Sequence, residues 1–186
     1  LELSNQAPGW RSWAGAAAQV FFPQQCFACG ARSGSAVLCA DCLQTLPGRG
    51  QARCPVCGIA HPTGGMCGAC LSHPPSYDRT LAVLDYGFPV DRLVQALKYG
   101  HRLSVSRLFV DLLAAQSVPE ADVIIPMPLH VARLCRRGFN QAAELARPLA
   151  QRWGLPVVLD GVARDVDTVP QAGLPWKVRT FAARFG

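Results

Sequence analysis

The sequence predicts an α/β domain with a parallel sheet, preceded by a small cysteine-rich module. Two observations carry this prediction. Eight of the nine cysteines fall between residues 26 and 70, and the chain after residue 79 alternates between strand-like and helix-like hydrophobic patterns. Half of the 186 residues are apolar, which is enough for a packed core. The length suits one domain and one small module.

The first segment, residues 1–22, is expected to form a helix that packs Trp10 and Phe21 against the body of the protein. Its apolar run, WAGAAAQVFF, is shorter than the roughly 18 residues that a membrane span needs. Glu2 stands where a secretory signal would carry positive charge. We therefore expect a cytoplasmic protein with no membrane span.

The cysteines form an internal repeat. Each unit reads CxxC-x9-CxxC, and adding 28 to each cysteine position of the first unit gives a cysteine of the second. The two units are Cys26, Cys29, Cys39 and Cys42, then Cys54, Cys57, Cys67 and Cys70. Two thiolates three residues apart can chelate one tetrahedral ion where the chain turns sharply, and a glycine follows the leading pair of each unit. The spacing therefore predicts two structural Zn²⁺ sites in a double zinc ribbon at 23–72.

Disulfide bonds are the competing interpretation of these pairs. Four bridges within CxxC pairs are not expected in a chain without a convincing export signal, and a redox CxxC would account for one pair only. Four protein ligands leave no open coordination position, which indicates a structural and not a catalytic metal. Pairing within each repeat is the simpler arrangement, and a cross-braced arrangement stays open. The ninth cysteine, Cys135, is expected to be an incidental thiol.

Residues 73–78 are predicted to be a linker, because they contain two prolines and show no hydrophobic period. The next nine residues, 79–87, have the pattern of a strand. Apolar residues at i, i+3, i+4 and i+7 then predict an amphipathic helix at 90–100 that ends at Gly100. A second helix is expected at 104–115.

The next segments predict a βαβ unit, with a buried strand at 122–128, a helix at 139–153 and a parallel strand at 155–160. Residues 126–156 contain five arginines and one glutamate, a net charge of +4 out of the total of +6. Ligands of open parallel sheets bind at strand-to-helix loops, where a helix N-terminus attracts anions. This basic loop therefore predicts a phosphate or pyrophosphate site, and the competing interpretation is a solvated surface that binds nothing.

Three stretches together with the cysteine pairs resemble the ComF family. They are LKYG at 97–100, the segment 122–157, and ARDVDTVPQAGL at 163–174, and RRGFNQA at 136–142 is the most specific part. The resemblance covers roughly residues 20–185. It implies a type I phosphoribosyltransferase-like domain with a Rossmann-like parallel sheet at 79–186, behind the zinc ribbon, and a link to DNA uptake in natural competence.

The resemblance also implies a site for phosphoribosyl pyrophosphate (PRPP) with Mg²⁺. The loop at 126–141 would hold the pyrophosphate side, and 164–185 would belong to a hood over the site. The residues that the resemblance assigns to PRPP or pyrophosphate are Lys98, Arg133, Arg137, Gly138, Phe139, Asn140 and Gln141. The matching hood residues are Gln171 and Arg179.

Two features depart from the family pattern. The hood usually continues as an arginine, two residues and an asparagine, whereas Ala182 stands three residues after Arg179. A strand ending in two acids and a threonine/glycine turn, which would hold the ribose and the 5′-phosphate, is not found after Phe181. These residues are therefore expected to carry half of a nucleotide-binding site, as a fragment or a shortened gene product, and no catalytic residue is assigned.

Three functional hypotheses stay open. The first is phosphoribosyl transfer or pyrophosphorolysis with PRPP and Mg²⁺, in which Arg137 and the backbone of 138–141 stabilise the departing pyrophosphate. The second is a non-catalytic factor of DNA uptake, whose zinc ribbons and basic loop contact single-stranded DNA or proteins of the competence machinery. Its basic patch has few aromatic partners for stacking bases, namely Phe139 and Trp153. The third is a structural role, with the ribbons as a dimer or partner-docking surface.

Overall fold

The computed structural model describes residues 24–118 and 120–168 of the chain. These residues divide into two compact units, with the boundary after Ser117. The predicted helix at 1–22 lies outside the described residues, and the predicted linker and domain boundaries stay predictions. Among the helices that the structure describes, none has the length and apolar content of a membrane span.

The cysteine-rich part of the first unit is built from very short elements. They are β1 (Gln24–Gln25), β2 (Arg32–Gly34), α1 (Ala40–Gln44) and α2 (Gly68–Ser72). β1 and β2 pair antiparallel, and in the second half a single antiparallel bridge between Arg53 and Ala60 stands where the first half has this hairpin. Elements this short cannot bury a core of their own, so other interactions must stabilise them.

The backbone hydrogen bonds repeat with the same offset of 28 residues as the cysteines. In both halves the first cysteine donates its N–H to the carbonyl five residues later, at 2.7 Å to Ala31 and at 2.9 Å to Ile59. Gly30 and Gly58 then donate back to that cysteine at 2.9 Å. Their φ angles of +75° and +71° belong to the left-handed region, which glycine adopts without a Cβ clash. The repeat in the sequence is therefore a repeat in the fold.

Two helices complete the first unit, α3 (Val90–Tyr99) and α4 (Ser104–Ala114), and they pack against each other. Both agree with the prediction from the hydrophobic period, and α3 ends before Gly100 as expected. Leu93 of α3 and Val105 of α4 are fully buried, because the apolar faces of the two helices form the common core.

The predicted strand at 79–87 is wrong, because these residues are not assigned to any strand. A strand requires a neighbour that accepts a ladder of hydrogen bonds. Here one backbone bond reaches the cysteine-rich part, from the Asp85 N–H to the Pro47 carbonyl at 2.8 Å. The apolar pattern of this segment therefore indicates packing and not a ladder.

The second unit contains α5 (Val131–Arg137), α6 (Gln141–Trp153) and a parallel bridge between Ile124 and Val157. The bridge has two bonds, from the Ile124 N–H to Pro156 at 2.9 Å and from the Val158 N–H to Ile124 at 3.0 Å. The parallel pairing around a helix, predicted as a βαβ unit, is present as this one bridge, and residues 122–128 and 155–160 are not assigned to strands. The larger parallel sheet of a phosphoribosyltransferase-like domain is not formed by the described residues.

Two details of the second unit differ from the prediction. The segment 122–128 is predicted to be a buried strand, yet Ile125 is 47% exposed and Met127 is 71% exposed. A parallel strand is buried only where other layers pack on both faces of its sheet. Here a single bridge stands in place of the predicted strand pair, so the described residues of this unit form no sheet for such layers to cover. The basic stretch is predicted to be a loop before a helix at 139–153. Its middle instead forms α5, and the longer helix begins at Gln141.

Arg53 joins the parts of the first unit. Its guanidinium group donates to the carbonyls of Gly48 and Gly58, at 3.0 Å each, and pairs with Asp85 at 2.8 Å. The Arg53 side chain is 13% exposed, so these groups are largely withdrawn from water. The planar, forked guanidinium reaches all three acceptors, which the single ammonium of lysine cannot reproduce.

We predict that Arg53→Lys lowers the stability of the zinc-loaded protein by about 1–3 kcal/mol, because two buried carbonyls lose their donors. The measurement is thermal and denaturant unfolding. Arg49→Lys is the matched control, since Arg49 is exposed and its guanidinium donates one hydrogen bond among the described residues, to the Leu43 carbonyl. Equal losses in the two variants would contradict the role given to Arg53.

Candidate metal centres and basic loop

The eight cysteines of the repeat form two separate clusters. One contains Cys26, Cys29, Cys39 and Cys42, and the other contains Cys54, Cys57, Cys67 and Cys70, with the four Sγ atoms of each cluster within 4.8 Å of one another. Pairing within each repeat is thereby confirmed, and the cross-braced arrangement is not formed. All nine cysteines lie in the described residues, and none is in a disulfide.

The geometry of the clusters fits zinc. Four sulfurs placed tetrahedrally at about 2.3 Å from an ion lie about 3.8 Å from one another. The Sγ atoms of Cys29 and Cys39 are 3.8 Å apart, and those of Cys57 and Cys67 are 3.7 Å apart. The two clusters therefore fit two structural zinc sites, each with four cysteine ligands.

The environment of the first cysteine in each unit favours its thiolate form. Backbone N–H groups of Cys57 and Cys67 lower the pKa of the Cys54 thiol to about 6, and the Cys67 N–H lies 3.4 Å from its sulfur. Burial raises the pKa of Cys26, but the equivalent N–H groups outweigh this effect and lower the pKa to about 6. Because zinc binds thiolate and not thiol, these hydrogen bonds favour the metal-bound state.

The last cysteine of each unit has the opposite tendency. Hydrogen bonds with the neighbouring thiols of the first cluster raise the pKa of Cys42 to about 12. Burial and the neighbouring thiols raise the pKa of Cys70 to about 12. Four thiolates so close together repel one another, and a divalent cation among them supplies the compensating charge. A divalent ion in each cluster would therefore hold all four ligands in the thiolate form.

The ribbons have little else to stabilise them. Cys39 and Cys67 are the N-cap residues of α1 and α2, so each short helix starts at a metal ligand. α1 buries none of its own residues, and the buried apolar residues on either side of it are Leu38 and Leu46. The metal sites would therefore supply most of the folding free energy of this part.

We predict two zinc ions per chain, one of which is lost in Cys54→Ser because that substitution removes a ligand from the second cluster alone. Native mass spectrometry of the purified protein counts the ions. Cys135→Ser is the control and should retain both, since Cys135 is exposed and outside both clusters. A ratio below two for the unsubstituted protein would refute the double site.

Gly138 and Asn140 order the end of the basic loop, residues 126–141, which follows the bridge at Ile124. Gly138 ends α5 in the left-handed region at φ +78°, and its N–H donates to Leu134 at 2.7 Å. The Asn140 side chain caps α6 by accepting from the Ala142 N–H at 2.9 Å, and it donates to the Met127 carbonyl at 3.1 Å. One side chain thus fixes the start of α6 against the segment after the bridge at Ile124.

This arrangement brings together five of the residues that the resemblance assigned to pyrophosphate, Arg137 to Gln141. Arg137 donates to the Gln141 Oε1 atom at 2.5 Å. Arg133, one turn earlier in α5, instead pairs with Asp167. Lys98 lies in the last turn of α3, in the first unit. The predicted hood residues, Gln171 and Arg179, lie outside the described residues.

Sequence reasoning missed Arg136 and Asp167 as members of the site. The Arg133 Nε atom donates to Asp167 at 2.7 Å, and an Arg136 nitrogen donates to the other carboxylate oxygen at 3.2 Å. The hydrogen bond from Arg133 lowers the pKa of Asp167, and the charges of Arg136 and His130 lower it further. The sequence signal that could have indicated Asp167 is the pair of acids in DVD, which lies in the stretch 163–174 that resembles the family.

Comparison with known proteins connects both parts of the molecule to one group. The Double zinc ribbon domain family matches residues 17–71. The DNA utilization protein YhgH of Salmonella typhi is 32% identical over 76% of this chain and 66% of its own length. YhgH of Escherichia coli K12 is 35% identical over 54% of this chain and 48% of its own length. Competence protein F of Haemophilus influenzae is 33% identical over 61% of this chain and 53% of its own length.

No solved structure matches the chain. The chain spans just under two thirds of the length of the Salmonella protein and about half of the other two. The zinc ribbon match covers only residues 17–71, whereas the alignments with YhgH of Salmonella typhi and competence protein F run over 152 and 123 residues. The similarity to these proteins therefore extends beyond the zinc ribbon. With its two cysteine clusters and these relatives, the chain belongs to the ComF family.

Proposed function

We propose that this chain is a phosphoribosyltransferase-like protein linked to DNA uptake, whose loop at 126–141 binds the pyrophosphate side of PRPP. The link to DNA rests on the names of its relatives, DNA utilization protein and competence protein F. The ligand rests on the chemistry of the loop. Location in the cytoplasm stays part of the proposal.

The proposed pyrophosphate ligand is supported mainly by the way Gly138 and Asn140 fix the geometry of the loop. The parallel bridge at Ile124 fixes the segment that precedes α5, and the Asn140 side chain ties the start of α6 to the Met127 carbonyl. Arg137 is thereby held beside Gln141. A guanidinium and backbone N–H groups at a helix start are suited to phosphoryl oxygens, because both present positive charge and fixed donors.

In this proposal the described residues bind and orient the ligand. Arg137 would balance charge on the pyrophosphate, Gln141 would fix the guanidinium, and the left-handed turn at Gly138 would let the backbone approach the phosphate closely. Mg²⁺, where bound with PRPP, would neutralise part of the pyrophosphate charge. We propose binding by these 186 residues, and not turnover.

We predict that Arg137→Gln weakens the binding of Mg–PRPP by about tenfold to a hundredfold, because a charge-assisted hydrogen bond is lost. Isothermal titration calorimetry measures the affinity. Arg147→Gln is the control, since it removes the same charge from an exposed position in α6 that pairs with Glu144. Equal affinity of the two variants, or no binding of PRPP by the unsubstituted protein, would sink the proposal.

A second candidate function is the binding of single-stranded DNA, or docking to a partner of the uptake machinery, by the zinc ribbons. The names of the relatives favour it, and so do the exposed Arg32 and Arg49 of the ribbon. Near the first CxxC pair, Cys26 and Cys29, the Arg102 guanidinium lies 5.5 Å from the centre of the Phe27 ring, so a cation and an aromatic face are adjacent there.

If the ribbons bind DNA, the affinity for a short single-stranded oligonucleotide should fall steeply with salt, because phosphate contacts release counterions. Fluorescence anisotropy at several salt concentrations measures the slope. Arg32→Gln should reduce that slope, while Arg147→Gln should leave it unchanged. Salt-independent or undetectable binding would count against this function.

A further inference from the structure

The Asp167 carboxylate pairs with two arginines of α5, Arg133 and Arg136. One carboxylate oxygen accepts from the Arg133 Nε atom at 2.7 Å, and the other accepts from Arg136 at 3.2 Å. Asp167 therefore bridges two arginines of the segment in which the positive charge of the second unit is concentrated.

The fit between Asp167 and the arginines is incomplete. The Nη2 atom of Arg133 is buried and finds no hydrogen-bond acceptor in the part of the chain that the structure describes. A buried donor without an acceptor is costly. The carboxylate oxygens of Asp167 accept from the Arg133 Nε atom and from Arg136, and neither forms a hydrogen bond with this nitrogen. A phosphoryl group has three terminal oxygens, so it can serve both arginines and still supply an acceptor to this nitrogen.

Asp167 is presented by a small, self-contained turn. The Arg164 side chain donates to the Val166 carbonyl at 3.4 Å and to the Thr168 hydroxyl at 2.6 Å. These bonds lie on either side of Asp167 and do not involve α5. Val166 is 66% exposed, so the turn has little apolar packing of its own to lose. Its ion pairs with Arg133 and Arg136 are therefore its principal described attachment to α5.

We propose that Asp167 is a built-in competitor of the anionic ligand: it occupies Arg133 and Arg136, next to Arg137 in the sequence, until a phosphoryl group displaces it. The inference rests on the proposed function, because it adds Arg136 and the competing carboxylate of Asp167 to the basic loop that already contains Arg133 and Arg137. The ligand class is a small molecule with a terminal phosphoryl or pyrophosphoryl group.

The test is calorimetric titration of the zinc-loaded protein with inorganic pyrophosphate. Asp167→Asn should bind pyrophosphate about fivefold to tenfold more tightly than the unsubstituted protein, because the competing charge is gone. The matched control is Asp165→Asn, which makes the same change of charge two residues away. Asp165 is exposed and has no ion pair among the described residues, so its affinity should change less than twofold. Asp167→Glu keeps the carboxylate and should restore weak binding.

Two further variants keep the inference separate from simple structural damage. Adding Arg133→Gln to Asp167→Asn should abolish the gain. Arg136→Gln should weaken binding without unfolding the protein, because the Arg136 side chain is 70% exposed. If Asp167 only pins the turn to α5, Asp167→Asn would bind like Asp165→Asn or more weakly, and the inference would be overturned. A gain for a short oligonucleotide but not for pyrophosphate would also overturn it.

The outcomes separate this inference from the proposed function. If Arg137→Gln abolishes binding while Asp167→Asn equals Asp165→Asn, the pyrophosphate loop stands and the competing role of Asp167 falls. If Asp167→Asn gains affinity through Arg133 while Arg137→Gln has no effect, the competing role of Asp167 stands and the proposed role of Arg137 falls. If no variant binds pyrophosphate, both are refuted.

Discussion

The charge balance between four thiolates and one divalent ion is the constraint on which the cysteine-rich part of the first unit depends. The strands and helices of this part are too short to bury a core, and α1 and α2 each begin at a ligand cysteine. Hydrogen bonds prepare the first thiol of each cluster for ionisation, while its neighbours oppose ionisation of the last one. A bound ion would resolve this conflict, so metal binding and folding would be coupled in this part of the chain.

The metal clusters could be predicted from the sequence because chelation imposes a fixed spacing. A CxxC pair leaves few alternatives, and the repeated offset of 28 residues determines which pairs belong together. Helices α3 and α4 were equally readable, since Leu93 and Val105 belong to regular apolar faces. Both signals are local, and local signals survive without knowledge of the rest of the fold.

The errors arose where distant residues decide the structure. The segment 79–87 has the composition of a strand, but only a neighbouring strand can make it one, and Pro47 provides a single bond. Helix α5 was missed because its apolar residues, among them Val131, face outward and show no core period. Asp167 was not recognised because its partners in α5 lie 31 and 34 residues earlier in the chain. No spacing rule connects residues so far apart.

Arg53 shows how two copies of one module came to differ. The residue at the corresponding place in the first copy is Gln25, which is exposed in β1. In the second copy the Arg53 side chain is largely buried, donates to the carbonyls of Gly48 and Gly58, and pairs with Asp85. This one side chain therefore makes the second copy the anchor of the unit.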